Sequence, residues 1–501
     1  MLRVVSWLEE SMGVQEVIIV GTGFGGLALA LRLKKNRIDT FVMLEKAGEV
    51  GGTWRENTYP GCECDVPSHL YELAMAPNPN WSRNFSSGRE IQDYLCRVSR
   101  EHNLRPHISF NTEVTKAVYS EAEGLWIVST AGGKEVKGRY LVSAVGVLST
   151  PVLPQIEGIN DFKGRILHSA KWDSSFSAQG LRVGVIGTGA SAIQMVPCLA
   201  KEAKHLTLFQ RSPAWVFPKT DRNYRGIEKR LLSIPLLKKI YRSYLCVLRE
   251  YWLFSLKRRL LRFLTEKMSK ISMSVSIANP ELRRALTPSE PVACKRALLS
   301  NDYYPALARQ NVSLVTDPVR SATAQGIITK DGTVHQLDAL VCATGFRAGD
   351  DFARFPTFGR GGLELGGVWK DGAEAYRGTT VHGFPNMFMI SGPNTYLGHN
   401  SVVLLMEAQI DYIAKAMGHM SSQNFKSFEV KSETQESYNQ MLRDRFRGSL
   451  WESCMSWYRA ASGKNTVVWP GHVFEFQKMM TNFDVASYQW EPKESHKRQA
   501  A

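Results

Sequence analysis

The sequence predicts an α/β protein with two Rossmann-like dinucleotide-binding domains and a helical insert. Two glycine-rich signatures each follow a short apolar strand and precede a segment of helical periodicity, which is the order of strand, tight turn and helix in such domains. Residues 222–284 carry apolar positions at helical spacing beside many basic ones, which predicts inserted helices. A chain of 501 residues is long enough for two or three domains with sizeable cores.

The first signature, at residues 21–26, follows the apolar strand 16–20 and precedes a helical segment. Bare glycine backbone turns tightly there and lets a pyrophosphate approach the helix N-terminus. Glu45 ends the next apolar strand, where a carboxylate accepts hydrogen bonds from both hydroxyls of a ribose. This combination suits FAD or NAD. The residues assigned to this first nucleotide site are Gly21, Gly23, Phe24, Gly26, Glu45 and Lys46.

The second signature, at residues 187–192, follows the strand 181–186 and precedes another helical segment. Its next strand leads into Arg211 and Ser212 rather than into an acid. A carboxylate there would repel the 2′-phosphate of NADP, whereas a guanidinium pairs with that phosphate bidentately. This site therefore suits NADP. The residues assigned to it are Gly187, Thr188, Gly189, Ala190, Ser191, Ala192, Arg211 and Ser212.

The cysteine spacing gives no sign of a metal site. The eight cysteines include no Cys-x-x-Cys pair, which argues against a zinc ribbon and against a dithiol redox centre. Cys62 and Cys64 are only two positions apart, which is not the Cys-x-x-Cys spacing of such sites. We therefore expect no bound metal and interpret the cysteines as thiols of a reducing compartment.

The N-terminal residues do not resemble a secretory signal, because Glu9 and Glu10 interrupt their apolar run. Elsewhere no charge-free apolar run reaches the roughly 18 residues of a membrane span. These observations predict a cytoplasmic protein. Residues 1–11 precede the first strand, either as a short helical leader or as an upstream mis-start.

Most of the net charge of +15 comes from residues 222–284, where sixteen Lys and Arg stand against four Glu. Two interpretations are open: helices packed on the second domain with a solvated basic face, or an amphipathic patch that touches anionic lipid. The first is favoured because an apolar stripe must be buried. No stacking motif accompanies the charge, so we expect no nucleic acid partner and at most peripheral membrane contact. The stripe consists of Leu231, Leu232, Leu236, Ile240, Tyr244, Leu248, Trp252 and Leu256.

Longer motifs connect the chain to a known family. Residues 162–173 fill the fingerprint Phe-x-Gly-x-x-x-His-x-x-x-Trp followed by Pro or Asp, and residues 52–54, 59–61 and Asp65 fill the pattern Gly-x-Trp, Tyr-Pro-Gly and Asp. From about Val14 to about Tyr488 the chain resembles the class B flavoprotein monooxygenases, and within them the type I Baeyer-Villiger monooxygenases. The fingerprint residues are Phe162, Gly164, His168, Trp172 and Asp173.

The resemblance implies three segments and a reaction. Residues 13–147 are the first part of an FAD-binding domain, 155–335 an NADPH-binding domain with its helical insert at about 222–284, and 336–493 the second part of the FAD domain with the substrate side. In this family NADPH reduces FAD, and a C4a-peroxyflavin then inserts one oxygen atom of O2 next to a ketone carbonyl, which gives an ester or lactone. The expected partners are FAD, NADPH, O2 and a small ketone, and the expected assembly is a monomer or weak homodimer.

The resemblance also assigns roles to side chains. Arg296 matches the active-site arginine that stabilises the peroxide anion, and Asp65 matches the carboxylate that orients this arginine. Lys295 is expected to bind the 2′-phosphate with Arg211, and His168 to couple movement of the NADPH domain. The further flavin contacts implied by motif position are Gly52, Thr53, Trp54, Tyr71 and Val114.

Two other functions remain open at this point: a sulfide or amine oxygenase of the flavin-containing monooxygenase type, and a non-oxygenating flavoprotein that binds NADPH. Arg296 with Asp65 favours ketone oxidation over heteroatom oxidation, because attack on an electrophilic carbonyl needs the deprotonated peroxide. The paired nucleotide sites disfavour the non-oxygenating protein. The segment Trp469-Pro470-Gly471 is more similar to family members that act on aryl or open-chain ketones, but it does not identify the ketone.

Overall fold

The computed structural model describes residues 13–347, 351–454 and 456–493. The expectation for residues 1–11 therefore lies outside the described part of the chain. The fold is α/β as predicted, with an eight-stranded sheet and a five-stranded sheet that each lead into one of the glycine turns. The strands are β1 (Gln15–Val20), β2 (Phe41–Leu44), β3 (Ile108–Ser109), β4 (Val114–Ser120), β5 (Leu125–Thr130), β6 (Glu135–Ser143), β7 (Arg165–His168), β8 (Arg182–Ile186), β9 (His205–Phe209), β10 (Val216–Phe217), β11 (Leu298–Leu299), β12 (Val312–Val315), β13 (Val319–Thr323), β14 (Gly326–Thr329), β15 (Val334–Gln336), β16 (Ala339–Cys342), β17 (Thr357–Phe358), β18 (Met387–Met389), β19 (Phe425–Val430) and β20 (Tyr488–Pro492).

The first sheet has the order β17-β4-β5-β6-β1-β2-β3, with β18 against β6. Its strand β1 pairs in parallel with β2 and β6, and the last four residues of β1 are buried. A strand that is apolar along its length suits a parallel sheet covered on both faces. Because Val20 pairs with Leu44, the residues that follow them, Gly21 and Glu45, emerge side by side at the carboxyl edge of the sheet.

The second sheet has the order β12-β9-β8-β16-β7, and all its strands are parallel. The pairing of Ile186 with Phe209 places the turn at Gly187 beside the segment that leads to Arg211. Strand β16 lies between β8 and β7. This second domain therefore extends to Cys342, and the boundary expected after residue 335 is too early. The reason is that an isolated apolar strand has no sequence signal for the sheet in which it pairs.

The helices include one directly after each glycine turn and four in the predicted insert. The helices that follow the glycine turns are α1 and α4 in the list below. The helices of the described residues are α1 (Phe24–Lys35), α2 (Thr53–Glu56), α3 (Gly88–Glu101), α4 (Ala190–Glu202), α5 (Gly226–Leu232), α6 (Pro235–Lys257), α7 (Arg259–Ser276), α8 (Pro280–Ala285), α9 (Tyr303–Leu307), α10 (Leu365–Val368), α11 (Val402–Gln423), α12 (Ser432–Phe446) and α13 (Val473–Thr481).

The helices of the insert turn much of their apolar stripe outward. Leu232 and Leu256 are buried, but the expected burial is wrong for five of the eight stripe residues. The reason is that charged residues on the inner side of α6 form ion pairs with the first domain, such as Lys238 with Glu72 at 3.0 Å. The five exposed stripe residues are Leu231, Leu236, Ile240, Tyr244 and Leu248.

Two of the cysteines form a disulfide, so the expectation of eight thiols is wrong for this pair. Cys294 and Cys454 are bonded, with their Cα atoms 6.0 Å apart and 160 positions between them in sequence. Spacing along the chain carries no signal for such a pair. Within residues 13–347, 351–454 and 456–493, no group of three or more His, Cys, Asp or Glu is arranged to hold a metal ion, and no helix is long and apolar enough to cross a membrane.

Candidate functional site

One large cavity, of about 1830 Å³, lies between the two glycine turns. It brings together residues from both sheets and from the segment after the insert. Of the residues assigned to the site from the sequence, all but Gly26 and Ala192 line it. Those two positions pack instead: a Cβ on Gly26 would lie 2.0 Å from the carbonyl oxygen of Gly21, and Ala192 is fully buried. Gly26 therefore permits the close approach of α1 to the turn that precedes it.

The first helix presents an open N-terminus to this cavity. Its N-cap is Gly23, no side chain caps the helix, and its first turn has no acidic residue. A Cβ on Gly23 would have only the Cα of Gly52 within 4 Å, at 3.9 Å. Unpaired backbone N–H groups and the helix dipole attract an anion at such a place, and the open space leaves room for a pyrophosphate.

Glu45 lies beside this helix N-terminus and is buried. Its Oε2 accepts hydrogen bonds from the backbone N and Oγ1 of Thr22, at 3.1 and 2.6 Å. Its Oε1 accepts one from Arg55 Nη1 at 3.0 Å. Arg55 was not identified from the sequence; its only signal is its place next to the Gly-x-Trp pattern. These contacts hold the carboxylate at the cavity wall.

The second glycine turn repeats the arrangement. Helix α4 begins after Gly189, with no side-chain cap and no acidic residue in its first turn. A Cβ on Gly189 would meet nothing within 4 Å. The hydroxyl of Thr188 donates to the carbonyl oxygen of Ser212 at 2.7 Å and so ties the turn to the end of β9. Arg211 is exposed at the cavity wall beside it.

A carboxylate missed by the sequence analysis lies next to this second site. Lys295 Nζ donates to Ser212 Oγ at 3.1 Å and to both carboxylate oxygens of Glu290 at 2.9 Å. Glu290 thus holds the lysine that was expected to bind the 2′-phosphate. Its negative charge disfavours a phosphate at this place and competes with it for Lys295. Lys295 follows Glu290 by five positions in a segment that is neither helix nor strand. The periodicity of the sequence therefore gave no reason to expect that the two side chains meet.

The expected pair of Arg296 and Asp65 is present. Arg296 Nε and Nη2 donate to the two carboxylate oxygens of Asp65, both at 2.7 Å, and Nη1 donates to the carbonyl oxygen of Leu397 at 3.2 Å. Burial alone would raise the pKa of Asp65, but the charge and hydrogen bonds of Arg296 hold it below its ordinary value. Burial opposes the charge of Arg296, while Asp65 raises its pKa further. The cation is therefore permanent and fixed in orientation.

Helix α6 supports this pair from behind. Arg249 Nη2 donates to the backbone carbonyl oxygen of Asp65 at 2.9 Å. One residue later, Glu250 Oε1 accepts from His399 Nε2 at 3.0 Å and from Asn400 Nδ2 at 2.7 Å, and its Oε2 accepts from His472 Nδ1 at 2.6 Å. Burial raises the pKa of Glu250, but these hydrogen bonds and the histidine charge outweigh it and lower the pKa to about 2. Arg249 and Glu250 were not identified from the sequence, because only the fold brings α6 next to the loops that carry their partners.

The aromatic residues of the first domain and the start of α11 complete the cavity wall. Trp54 Nε1 donates to Tyr71 Oη at 3.2 Å, and the ring of Tyr71 meets that of Phe24 edge to face at 5.0 Å. Val114 begins β4 and also lines the cavity. Helix α11 begins at Val402 with no acidic residue in its first turn, so its dipole favours negative charge at this side of the cavity.

The segment 336–493, which was expected to carry the substrate side, contributes part of the cavity wall. Ser456 and Trp457 line the cavity, and the Trp457 side chain is 38% exposed. Tyr458 is buried close enough to Arg296 for the two to interact electrostatically; burial raises the pKa of this phenol to about 12, and the charge of Arg296 opposes the rise. His168 does not line the cavity. Its Nδ1 accepts from the Ala170 N at 3.1 Å, and burial lowers its pKa.

Comparison with known proteins agrees with this geometry. A family model described as pyridine nucleotide-disulphide oxidoreductase matches residues 18–234. A Baeyer-Villiger monooxygenase of Pseudomonas aeruginosa is 41% identical over 479 residues, which cover 94% of this chain and 91% of the relative. Another, from Streptomyces coelicolor, is also 41% identical, over 94% of this chain and 92% of the relative.

Solved structures match over the same extent. Cyclohexanone monooxygenase from Rhodococcus sp. Phi1 bound to NADP+ superimposes with a TM-score of 0.87 at 29% identity, over 96% of this chain and 100% of that one. A steroid monooxygenase bound to NADP gives a TM-score of 0.86 at 29% identity, with the same coverage. The similarity to the curated relatives extends over nearly the whole length of both proteins, and on that basis the chain belongs to the Baeyer-Villiger monooxygenase family.

Proposed function

We propose that this chain is an FAD-dependent monooxygenase that consumes NADPH and inserts one oxygen atom of O2 next to a ketone carbonyl, so that the ketone becomes an ester or lactone. The second oxygen atom leaves as water, and NADPH supplies the two electrons. The observation that carries the proposal is the bidentate pair of Arg296 and Asp65, which places a fixed cation in the large cavity. This cavity contains two dinucleotide cradles, a name used here for the glycine turns at residues 21–26 and 187–192 with the helix N-termini that follow them. The names of the related proteins support the same reaction.

The cavity fits two dinucleotides. The open N-termini of α1 and α4 suit two pyrophosphates, and Gly23 and Gly189 leave space for them. Glu45 suits the ribose of FAD, whereas Arg211 suits the extra phosphate of NADPH. When bound, FAD supplies the redox chemistry: it accepts hydride from NADPH and activates dioxygen. Trp54 and Tyr71, which are hydrogen-bonded to each other, line the same cavity and would hold the flavin ring.

Arg296 acts where negative charge develops during oxygen insertion. Within the described part of the chain, three of its five N–H groups are engaged, two with Asp65 and one with the Leu397 carbonyl. The remaining two are available to the attacking oxygen and to the carbonyl oxygen of the substrate. Because the orientation is fixed before the substrate arrives, little reorganisation is needed when the charge appears. Asp65 is a positioning residue, which keeps the fork of the guanidinium in place.

Lys295 and Arg211 form the proposed phosphate site of NADPH. Lys295 already donates hydrogen bonds to Ser212 and to the Glu290 carboxylate. When a 2′-phosphate binds, Lys295 either contacts both anions or breaks its hydrogen bonds to Glu290 and donates to the phosphate instead. Arg211, exposed at the wall, provides the second charge. This arrangement supports a preference for NADPH over NADH.

The test is a balance of NADPH, O2, hydrogen peroxide and product with phenylacetone, acetophenone and 2-octanone, with thioanisole as the heteroatom substrate. We expect ketone-dependent NADPH consumption and an ester that carries one labelled atom when labelled O2 is used. If NADPH consumption is the same with and without every ketone and all oxygen is recovered as hydrogen peroxide, the proposal is wrong. Oxidation of thioanisole without oxidation of any ketone would assign the heteroatom reaction instead.

A further inference from the structure

The insert carries an exposed apolar surface, which we call the outer face: the exposed apolar side chains of residues 227–275. Of the 26 exposed large apolar side chains in the described part of the chain, 17 belong to it. Such a concentration is uncommon on a soluble monomer, where exposed apolar residues are scattered. Among its members are Ile227, Leu236, Val247, Leu260, Phe263 and Val275, which are between 60% and 83% exposed.

The helices of the outer face carry apolar side chains on their outer side as well as on their inner side. A surface helix ordinarily turns its apolar side to the core. Here the inner side of α6 holds three buried leucines together with cations that form ion pairs: Lys238 lies 3.0 Å from Glu72, and Arg242 Nη2 lies 2.9 Å from Glu407. The inner side of α7 is polar, and its buried Ser269 donates to the carbonyl oxygen of Val216 at 2.7 Å. These inner contacts fix the orientation of both helices and leave their remaining apolar side chains exposed.

The charges around the outer face are of one sign. Seven exposed cations lie on or between these helices, whereas the three glutamates of residues 226–276 are only partly exposed and are engaged within the fold. Glu228 pairs with Arg222 at 2.6 Å, Glu250 accepts from His399, and Glu266 accepts from the backbone N of Val292 at 3.1 Å. The positive charge is therefore not neutralised locally. The exposed cations are Arg230, Lys239, Lys257, Arg258, Arg259, Lys267 and Lys270.

We propose that the outer face docks on a bilayer surface that contains anionic lipid, with α6 and α7 in the plane of the interface. Apolar side chains surrounded by Lys and Arg are the features of a helix that lies in the headgroup region. The described helices contain none able to span a membrane, so the contact is peripheral. A second copy of the chain is a poorer partner, because a two-fold contact would place this cationic surface against itself. The proposal does not depend on the reaction.

The experiment is flotation of the full-length, FAD-loaded protein with vesicles of phosphatidylcholine, alone or with about one third phosphatidylglycerol. We expect binding to the anionic vesicles and much weaker binding to the neutral ones. The variant with Leu236→Glu, Val247→Glu and Phe263→Glu should lower the partition coefficient at least about ten-fold, since each buried apolar side chain contributes substantially to partition. Each of Arg230→Gln, Lys239→Gln and Lys267→Gln should lower it about five-fold.

The matched control carries Val334→Glu, Val368→Glu and Val485→Glu, which are exposed apolar residues outside the outer face. It should float like the unmodified protein. Flavin absorbance and NADPH oxidation by all variants verify that the fold is intact. Three results would overturn the proposal: no flotation with anionic vesicles, an equal loss in the control, or a dimer in sedimentation velocity that only the outer-face variant abolishes while vesicles fail to bind.

Discussion

The replacement Arg296→Ala is expected to uncouple NADPH oxidation from ketone oxidation. Hydride transfer depends on the two cradles, which this change leaves in place. Oxygen insertion depends on the cation that Asp65 holds through two hydrogen bonds of 2.7 Å. The variant should therefore bind FAD, consume NADPH and O2, and release hydrogen peroxide in place of ester.

The size of the effect has two parts. Removal of one preorganised donor to a developing oxyanion costs about 2.7 to 4 kcal/mol, or about 100- to 1000-fold in the rate of ester formation. The variant also leaves Asp65 without its main partner, although Arg249 still contacts the backbone of Asp65 at 2.9 Å. Since the side chains of Arg296 and Asp65 are 28% and 22% exposed, we expect a loss of about 1 to 3 kcal/mol in the free energy of unfolding, below that of a fully buried pair.

The assay measures ester by gas chromatography, together with O2 uptake, hydrogen peroxide and thermal unfolding. The double variant Asp65→Asn with Arg296→Ala removes both charges and should regain part of the stability without regaining oxygenation. The matched control is Arg182→Ala, because Arg182 also forms a bidentate pair, with Asp338 at 2.6 and 3.1 Å, and neither residue lines the cavity. This control should lose stability but keep its ratio of ester to NADPH.

Ester formation by Arg296→Ala at an undiminished rate, from a ketone that the unmodified protein oxidises, would refute the role given to the cation. An equal change of the product ratio in the Arg182→Ala control would refute it as well. In that case the loss would follow from destabilisation and not from charge at the reacting oxygen.

Three further predictions concern charges at the cavity. Arg211→Ala should reduce the preference for NADPH over NADH about 10- to 150-fold, because one charge-assisted contact to phosphate contributes about 1.5 to 3 kcal/mol; equal Kd values of the two coenzymes for the unmodified protein would contradict the assignment. Glu290→Gln should tighten NADPH binding about two- to five-fold and leave NADH binding unchanged, because a partly exposed pair with Lys295 is worth about 0.2 to 1 kcal/mol; weaker NADPH binding in titration would show that the carboxylate assists the site. Glu250→Gln should lower the free energy of unfolding by about 3 kcal/mol near neutral pH, because the pKa of Glu250 in the folded protein, about 2, lies below its ordinary value of 4.5. A lowered pKa stabilises the folded protein at pH values above 4.5, and this stabilisation is lost as the pH falls to about 2. Denaturant unfolding at a series of pH values should therefore show that the free energies of unfolding of the two proteins converge in acid.

The sequence predicted the parts of the site that are contiguous in the chain. Each cradle consists of a strand, a glycine turn and a helix within about twenty residues, so the spacing of the glycines between an apolar strand and a helix is enough to predict it. Glu45 and Arg211 follow the next strand in each unit, and the parallel pairing in both sheets places them beside their turns. The roles of Arg296 and Asp65, 231 positions apart, came from the family resemblance, and the structure brings the two side chains together.

Tertiary structure alone decided the rest. The role of Glu250 became visible only when α6 met the loops that carry His399 and His472, and that of Glu290 only when the irregular segment that ends at Lys295 was folded. The Cys294–Cys454 bond joins positions 160 residues apart. The insert shows the limit most clearly. Apolar periodicity determines that a segment forms an amphipathic helix, but it does not determine which side turns inward. That choice depends on what the neighbouring domain presents, and here carboxylates such as Glu72 and Glu407 bind basic residues of α6, which leaves five of the eight stripe residues exposed.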